Sequence, residues 1–392
     1  MSKYFRPWKI DQPQLLPPSV QDFVPPGHLS RFIVELVRES LDLTEISGSY
    51  RSALGQPPFD PRLMVALLLN GYASGIYSSR RIARACVERA DFMMIAALDA
   101  PDFRTISEFR KRHLKQLAGL FVQVLKLAEK AGLVRLGHVA LDGTKIKANA
   151  SKHKAMSYGH MEKRQAELEA EAKAAADEER RIEAEKQKSR EAEGRKKPGK
   201  PAAPPSDEPA PKTQRNFTDP ESRILKTKDG FIQGYNAQAA VDGKAQIIVA
   251  HGLTPSGSDQ GQLVPLVDGI EANLGRKPQQ ASADSGYLSE ANLASLKARE
   301  IDGYIATGRA KHPTADNGKV GGPLTQAMRK KIADGGFETP YRLRKQIVEA
   351  VFGQIKQARG FRQFLLRGLE NVTAEWAIIC TAHNLVKLAR AA

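Results

Sequence analysis

The apolar run Val139-Ala-Leu141 ends on a carboxylate, Asp142, and Gly143 follows it directly. Such a run reads as a short buried strand that delivers one acid to its C-terminal end, where open α/β sheets place their ligands. Two further stretches look built to meet it. Gln280-Ala-Ser-Ala-Asp284 repeats the pattern, with a carboxylate where a strand gives way to a turn. Tyr341-Arg-Leu-Arg-Lys-Gln-Ile-Val-Glu349 carries an acid on a helical pattern. Three separated acids, two at strand ends and one on a helix, suit a pair of hard cations held through oxygen.

Charge narrows the partners. The formal net charge is +16, which favours a polyanion, with nucleic acid ahead of membrane. Cys86 and Cys380 lie far apart, so they form no ligand pair and no disulfide framework, and they point to a reducing compartment. No apolar run approaches the ~20 residues of a membrane span. The start, Met1-Ser-Lys-Tyr-Phe-Arg-Pro7, has no signal-type apolar core.

In chain order, prolines over residues 1–30 predict extended chain. Helices follow: His28–Leu43, then one opened by Asp60 as N-cap with Pro61 at the first position, then one capped by Ser79. Thr105-Ile-Ser-Glu108 has capping-box spacing and predicts a single helix to Lys130, stopped by Gly132. A helix, a glycine-containing turn and a second helix rich in arginine fit a DNA-binding unit, with Arg80 and Arg81 as candidate contacts. After the Asp142 strand the composition changes. Residues 151–200 hold 14 Lys/Arg and 11 Asp/Glu with almost no large apolar side chain. Met161, Leu168, Ala175 and Ile182 recur every seven residues, but a two-stranded coiled coil needs two apolar positions per heptad. The reading is an exposed charged helix and a linker, residues 152–214, inserted into a domain whose sheet pattern then resumes. Asp242-Gly243 marks a hairpin. Helix, strand, helix and strand follow to Ala306, a loop over 308–339, a helix over 341–360, and a last helix from Thr373 to Arg390.

Taken together, Asp142-Gly-Thr-Lys-Ile-Lys-Ala-Asn149, Gly234-Tyr-Asn-Ala-Gln238, Asp284-Ser-Gly-Tyr287 and Tyr341…Arg344…Glu349…Lys356 resemble bacterial insertion-sequence transposases of the DDE type. Asp102-Phe-Arg-Thr-Ile-Ser-Glu-Phe-Arg110 in the helical region does so too, and the resemblance spans nearly the whole chain. It implies an α/β fold: a ribonuclease-H-like mixed sheet with flanking helices over 133–392, interrupted by the charged insertion, behind an all-α N-terminal domain over 1–132. It implies Asp142, Asp284 and Glu349 as catalytic, metal-binding acids. The cofactor would be two Mg²⁺ ions, with Mn²⁺ as a substitute. Implied partners are DNA, namely the terminal inverted repeats of the element and its target, and a second copy of the chain in synapsis; no membrane is involved. The location implied is cytoplasmic, on the bacterial nucleoid. A metal-dependent nuclease on the same core is the rival among enzymes. A transposase-derived DNA-binding protein that no longer cuts is the rival outside them, and the presence of all three acids argues against it.

The chemistry explains the residue types. Strand transfer is an in-line displacement at a phosphodiester, and two ions about 3.5–4 Å apart serve the attacking and the leaving oxygen. On a regular helix Glu349 and Lys356 fall on one flank. The related pattern has a tyrosine, two residues, an arginine, three residues, the glutamate, six residues and a lysine. Here four residues separate Arg344 from Glu349, so Lys345 holds the expected spacing. A residue four before Glu349 lies about 40° away around the axis and one five before lies about 140° away. A regular helix therefore puts Lys345 with the acids and turns Arg344 elsewhere, so among the candidate DNA contacts Tyr341, Arg344, Lys345 and Lys356 the arginine is the weaker; an irregular first turn would instead swing Arg344 back to the phosphates, as the resemblance implies. Asp242 is explained by turn chemistry, Asp259 as a helix N-cap, and Trp376 as core. His153 and His160 lack companion ligands.

Overall fold

The computed structural model describes residues 19–50, 57–151, 174, 177–178, 180–181, 216–227, 229–307, 321–335 and 339–392. The proline-rich start before Ser19 and nearly all of the charged insertion lie outside the described residues. The chain divides into two compact units, Met1–Leu117 and Ala118–Ala391.

The first unit is helical: α1 Leu29–Glu39, α2 Thr44–Ser47, α3 Pro61–Ala73, α4 Ser79–Glu88, α5 Ala90–Ala96 and α6 Phe103–Arg112. Asp60 caps α3 by accepting from the Arg62 N–H, and Pro61 opens it. Ten consecutive residues of α3, Met64–Ala73, are buried, which makes it the centre of this unit. The capping-box expectation at Thr105 is corrected. Asp102 is the cap, accepting from the N–H groups of Arg104 and Thr105 at 2.6 and 3.3 Å. The expected single helix is in fact two, broken at His113, whose buried ring packs on Phe109 and Tyr50. The second, α7, spans Leu114–Lys130.

The second unit is built on a mixed sheet: β1 His138–Lys147, β2 Arg223–Thr227, β3 Gly230–Asp242, β4 Ile248–Thr254, β5 Gln280–Ala283 and β6 Asp302–Ile305. β1 lies in the middle. On one side it pairs antiparallel with β3, from Val139 opposite Asp242 to Lys147 opposite Gly234. On the other it pairs parallel with β5, and β5 pairs parallel with β6. The far edge of the long β3 is shared by β2 near its start and β4 near its end, both antiparallel. Val139, Ala140 and Leu141 are fully buried, as the continuous apolar run requires of a strand covered on both faces.

Helices α8 Leu263–Leu274, α9 Glu290–Ala298, α10 Pro323–Gly335 and α12 Leu369–Ala389 surround the sheet. Asn384 of α12 donates to the Ile248 carbonyl at 2.8 Å and accepts from the Ile248 N–H at 2.9 Å. That side-chain amide stands in for a neighbouring strand along β4. Trp376, fully buried, donates to the Gln238 carbonyl at 3.0 Å, consistent with the core reading.

The loop expected over 308–339 is corrected in part, because Pro323–Gly335 is helical. Its first N–H groups are satisfied by a distant acid: Glu290 accepts from Leu324 N–H and Thr325 N–H. No local cap therefore marks the start in the sequence. Ser151 and Asn216, the described residues on either side of the insertion, meet at 2.9 Å through the Asn216 amide and the Ser151 carbonyl.

Candidate active site

β1 and β5 carry the first two acids. His138 pairs with Gln280, Val139 with Ala281 and Ala140 with Ser282. Continuing that register sets Asp142 opposite Asp284 on neighbouring parallel strands about 4.8 Å apart. Asp284 follows the end of β5, but the expected strand end at Asp142 is corrected, because β1 runs on to Lys147 through its pairing with β3. Each acid is fastened by its own turn. Asp142 Oδ1 accepts from the Gly143 N–H at 2.8 Å, and Asp284 Oδ1 from the Gly286 N–H at 2.9 Å.

The third acid comes from a helix of mixed pitch. Pro340–Leu343 is a 3₁₀ turn, Lys345–Glu349 a π turn, Ala350–Gly353 (α11) an α turn, and Gln354–Ala358 a second π turn. Ile347, Val348, Val351, Phe352 and Ile355 are buried, as the sequence pattern predicts. The regular-helix expectation fails here. Arg344 is buried and donates to Asp142 Oδ2 at 3.0 Å, with its other terminal nitrogen 3.6 Å from Glu349 Oε1. Lys345 is exposed. The physical reason is the pitch. In a π turn the backbone bonds run from residue i to i+5, so a residue five positions back lies beside Glu349 instead of well round the axis. The Arg344 guanidinium also faces the Tyr341 ring, 6.0 Å from its centroid.

Lys356 donates to Thr144 Oγ1 at 3.0 Å and to the Lys145 carbonyl at 3.2 Å, which brings its ammonium to β1 just beyond Asp142. Burial, then the charge of Arg362, holds that ammonium below the usual lysine range. Burial also pushes the Asp142 carboxyl up to about 6; Arg344 opposes the rise and the nearby Asp284 adds to it.

A fourth acid sits beside these. Asp259 stands at the N-cap position of a short 3₁₀ turn, Gln260–Gln262, but its side chain does not cap it, which corrects the N-cap reading. Asp259 Oδ1 accepts instead from the side-chain amides of Asn236 and Gln238, both at 2.7 Å. Gln238 in turn accepts from the Tyr287 hydroxyl. Asp242 lies at the other end of β1, where it accepts from the N–H groups of Leu136 at 2.7 Å and Lys244 at 2.9 Å. It is a structural acid, as its turn position suggests.

Among the described residues no three of His, Cys, Asp and Glu close around one point tightly enough to hold a metal ion. The donors on offer are nonetheless all carboxylate oxygens, the set a hard divalent cation takes. The position between Asp142 and Glu349 is already cationic in character, since the Arg344 guanidinium bridges the two.

In the first unit Arg80 and Arg81 are exposed on α4. The Arg80 guanidinium lies 5.1 Å from the centre of the Phe103 ring, itself exposed, and Arg104 lies 5.7 Å from the same centre. Arg110 is different: it is buried and donates to the Tyr77 carbonyl and the Ser79 hydroxyl, so it is structural.

Two family models match. One, described as Transposase domain (DUF772), covers residues 18–112 and includes Arg80 and Arg81. The other, described as Transposase DDE domain, covers residues 319–389 and includes Tyr341, Arg344, Lys345, Glu349 and Lys356. Asp142 and Asp284 lie outside both matches. No curated protein matches the chain.

Proposed function

We propose, for a chain that belongs to the DDE transposases of insertion sequences, that it cleaves DNA at the ends of its element and joins them to a target, using divalent metal ions. The observation that supports this reading best is that Asp142 lies close to Asp284 and is linked to Glu349 through Arg344. Asp142 lies midway along β1 and Asp284 just past the end of the parallel β5, while Glu349 comes from the mixed-pitch helix. The sheet supports it as well. A central β1, an antiparallel neighbour on one side and parallel neighbours on the other are what a ribonuclease-H-like core is expected to have.

Mg²⁺, when bound by these carboxylates, would polarise the phosphodiester and stabilise the charge on the attacking and leaving oxygens. The remaining work falls to the chain itself. Burial makes the ionised form of Asp142 costly, and a bound cation would offset that cost. Arg344 steadies Asp142 and Glu349 while no such cation is present. Lys356, fixed against β1, offers an ammonium to a phosphate lying near Asp142. Tyr341 carries its ring under Arg344, and exposed Lys345 supplies charge at the rim. Arg80 and Arg81 contact the DNA backbone from the helical unit, beside an exposed ring able to stack. No helix among the described residues is long and apolar enough to cross a membrane.

The test uses DNA from the flanks of the gene as substrate. Asp142→Asn, Asp284→Asn and Glu349→Gln should each abolish strand cleavage in Mg²⁺ while end binding persists, because phosphate contacts elsewhere supply most of the affinity. A Glu349→Gln protein that cuts at the normal rate would sink the assignment.

A further inference from the structure

We propose that Arg359, Lys387 and Arg390 form an anion site outside the acid centre, one that takes a phosphate oxyanion. On the DNA-binding reading above the source of that anion is a backbone phosphate; free phosphate presents the same oxygens. The site lies where the end of the mixed-pitch helix meets the last turns of α12 and the turn between β3 and β4.

The first observation is a cation without an anion. Arg359 closes the mixed-pitch helix, and its Nη1 is buried with no partner. The one hydrogen bond of its guanidinium goes to a neutral ring: Nη2 donates to His383 Nδ1 at 3.4 Å. His383 is fully buried, and its Nε2 donates to the Gln246 carbonyl at 2.8 Å, which leaves Nδ1 as the acceptor. Gln246 holds the second cation as well. Its Oε1 accepts from Lys387 at 2.7 Å and from Gln354 at 3.1 Å. One residue of the β3–β4 turn thus joins Lys387 directly and Arg359 through His383. It does so in a left-handed conformation, φ 59°, that residues other than glycine rarely adopt. Arg390 is exposed at the C-cap of α12, about one turn beyond Lys387.

Buried charges are ordinarily paired. Among the described residues no carboxylate forms an ion pair with Arg359, Lys387 or Arg390. Their charges act on one another instead. Burial, then Arg390, lowers the Arg359 guanidinium to about 10. Burial, then Arg390 and Arg359, lowers the Lys387 ammonium. The dipole at the end of α12 accounts for Lys387 and Arg390, since cations are favoured there. It does not account for Arg359, which comes from another element and is desolvated. An oxyanion offsets the repulsion among all three. Half-buried Lys387 and exposed Arg390 are the donors that reach it, and Arg359 is a fixed charge behind them.

The experiment uses the full chain with Lys387→Gln, Arg390→Gln and, as a bulk-charge control, Lys297→Gln on α9, an exposed lysine. In the first arm a duplex from the flank of the gene is bound at several chloride concentrations. Lys387→Gln and Arg390→Gln should each flatten the slope of log affinity against log salt by about one, and weaken binding about 5–10-fold near 0.1 M salt. Lys297→Gln should change neither. In the second arm inorganic phosphate replaces chloride at equal ionic strength, without DNA. It should raise the melting midpoint of the wild type by more than that of Lys387→Gln or Arg390→Gln. A response in the duplex arm assigns the anion to the DNA backbone, and a response in the phosphate arm alone assigns it to free phosphate. No difference between wild type and these two variants in either arm overturns the site, and so does an equal loss in Lys297→Gln. A wild type that does not bind the duplex removes the DNA-binding reading instead, and the phosphate arm then decides the site by itself.

Discussion

Replacing Asp142 by asparagine should stabilise the protein in a way that depends on pH. The Asp142 side chain is 15% exposed, and burial pushes its carboxyl from 3.8 up to about 6 even with Arg344 alongside. Ionising it in the folded chain instead of in water therefore costs roughly 3 kcal/mol. The sign follows from proton binding. Between those two values the folded state holds the proton and the unfolded state does not, so stability falls as pH rises through that window. Asparagine mimics the protonated acid and removes the fall. It also loses an acceptor, because Arg344 and the Gly143 N–H both donate to this side chain and an amide has only one oxygen. That loss takes back about 1 kcal/mol. The expected gain in Asp142→Asn is then about 2 kcal/mol at pH 8 and none of it below pH 4. For a unit of this size it raises the melting midpoint by several degrees, at about 2–4 °C per kcal/mol. Calorimetry of both proteins at pH 4, 5, 6 and 8, in chelator so that no cation competes, measures it. A variant that melts no higher than the wild type at pH 8, or that shows the same difference at pH 4 and pH 8, refutes the reasoning.

Two other outcomes are expected. Gly143→Ala sets a methyl 2.6 Å from Asp259 Oδ1 and 2.9 Å from Asn236 Oδ1, among side chains that cannot retreat, and should cost about 1–3 kcal/mol. An unchanged melting midpoint would mean that the amide cluster yields easily. Arg344→Ala removes the cation that restrains Asp142, so the acidic limb of the pH–cleavage profile should move to higher pH, while Lys345→Ala leaves it in place. The reverse ranking of the two variants would show that Arg344 does not govern Asp142.

The two acids on the sheet were legible because the signal is local. An apolar run that stops at an aspartate and a glycine gives the strand, and at Asp284 also its end, since β5 stops at Ala283; at Asp142 the end was misread, because β1 runs on to Lys147 on hydrogen bonds to the distant β3. What escaped the sequence is held by distant partners. Asp259 looked like a helix cap because only its neighbours could be seen, whereas its partners lie on β3, 21 and 23 residues earlier. The start of α10 was hidden for the same reason, its cap being Glu290 on another helix. Arg344 was misjudged because hydrophobic spacing identifies a helix without giving its pitch. The buried face reads correctly either way, while the exposed flank does not.

The mixed pitch of Pro340–Ala358 bears on how such chains should be aligned. A spacing rule counted in residues is here a rule about angle. The π turn at Lys345–Glu349 absorbs one additional residue and still delivers the arginine to the glutamate, so an insertion that breaks the written motif is neutral in three dimensions. A search that penalises the gap, or that slides Lys345 into the vacant column, would assign the basic role to a side chain in solvent. Relatives with three or with four intervening residues can therefore be equivalent at this position, and their homologous basic residue is the one that ends up against the acids.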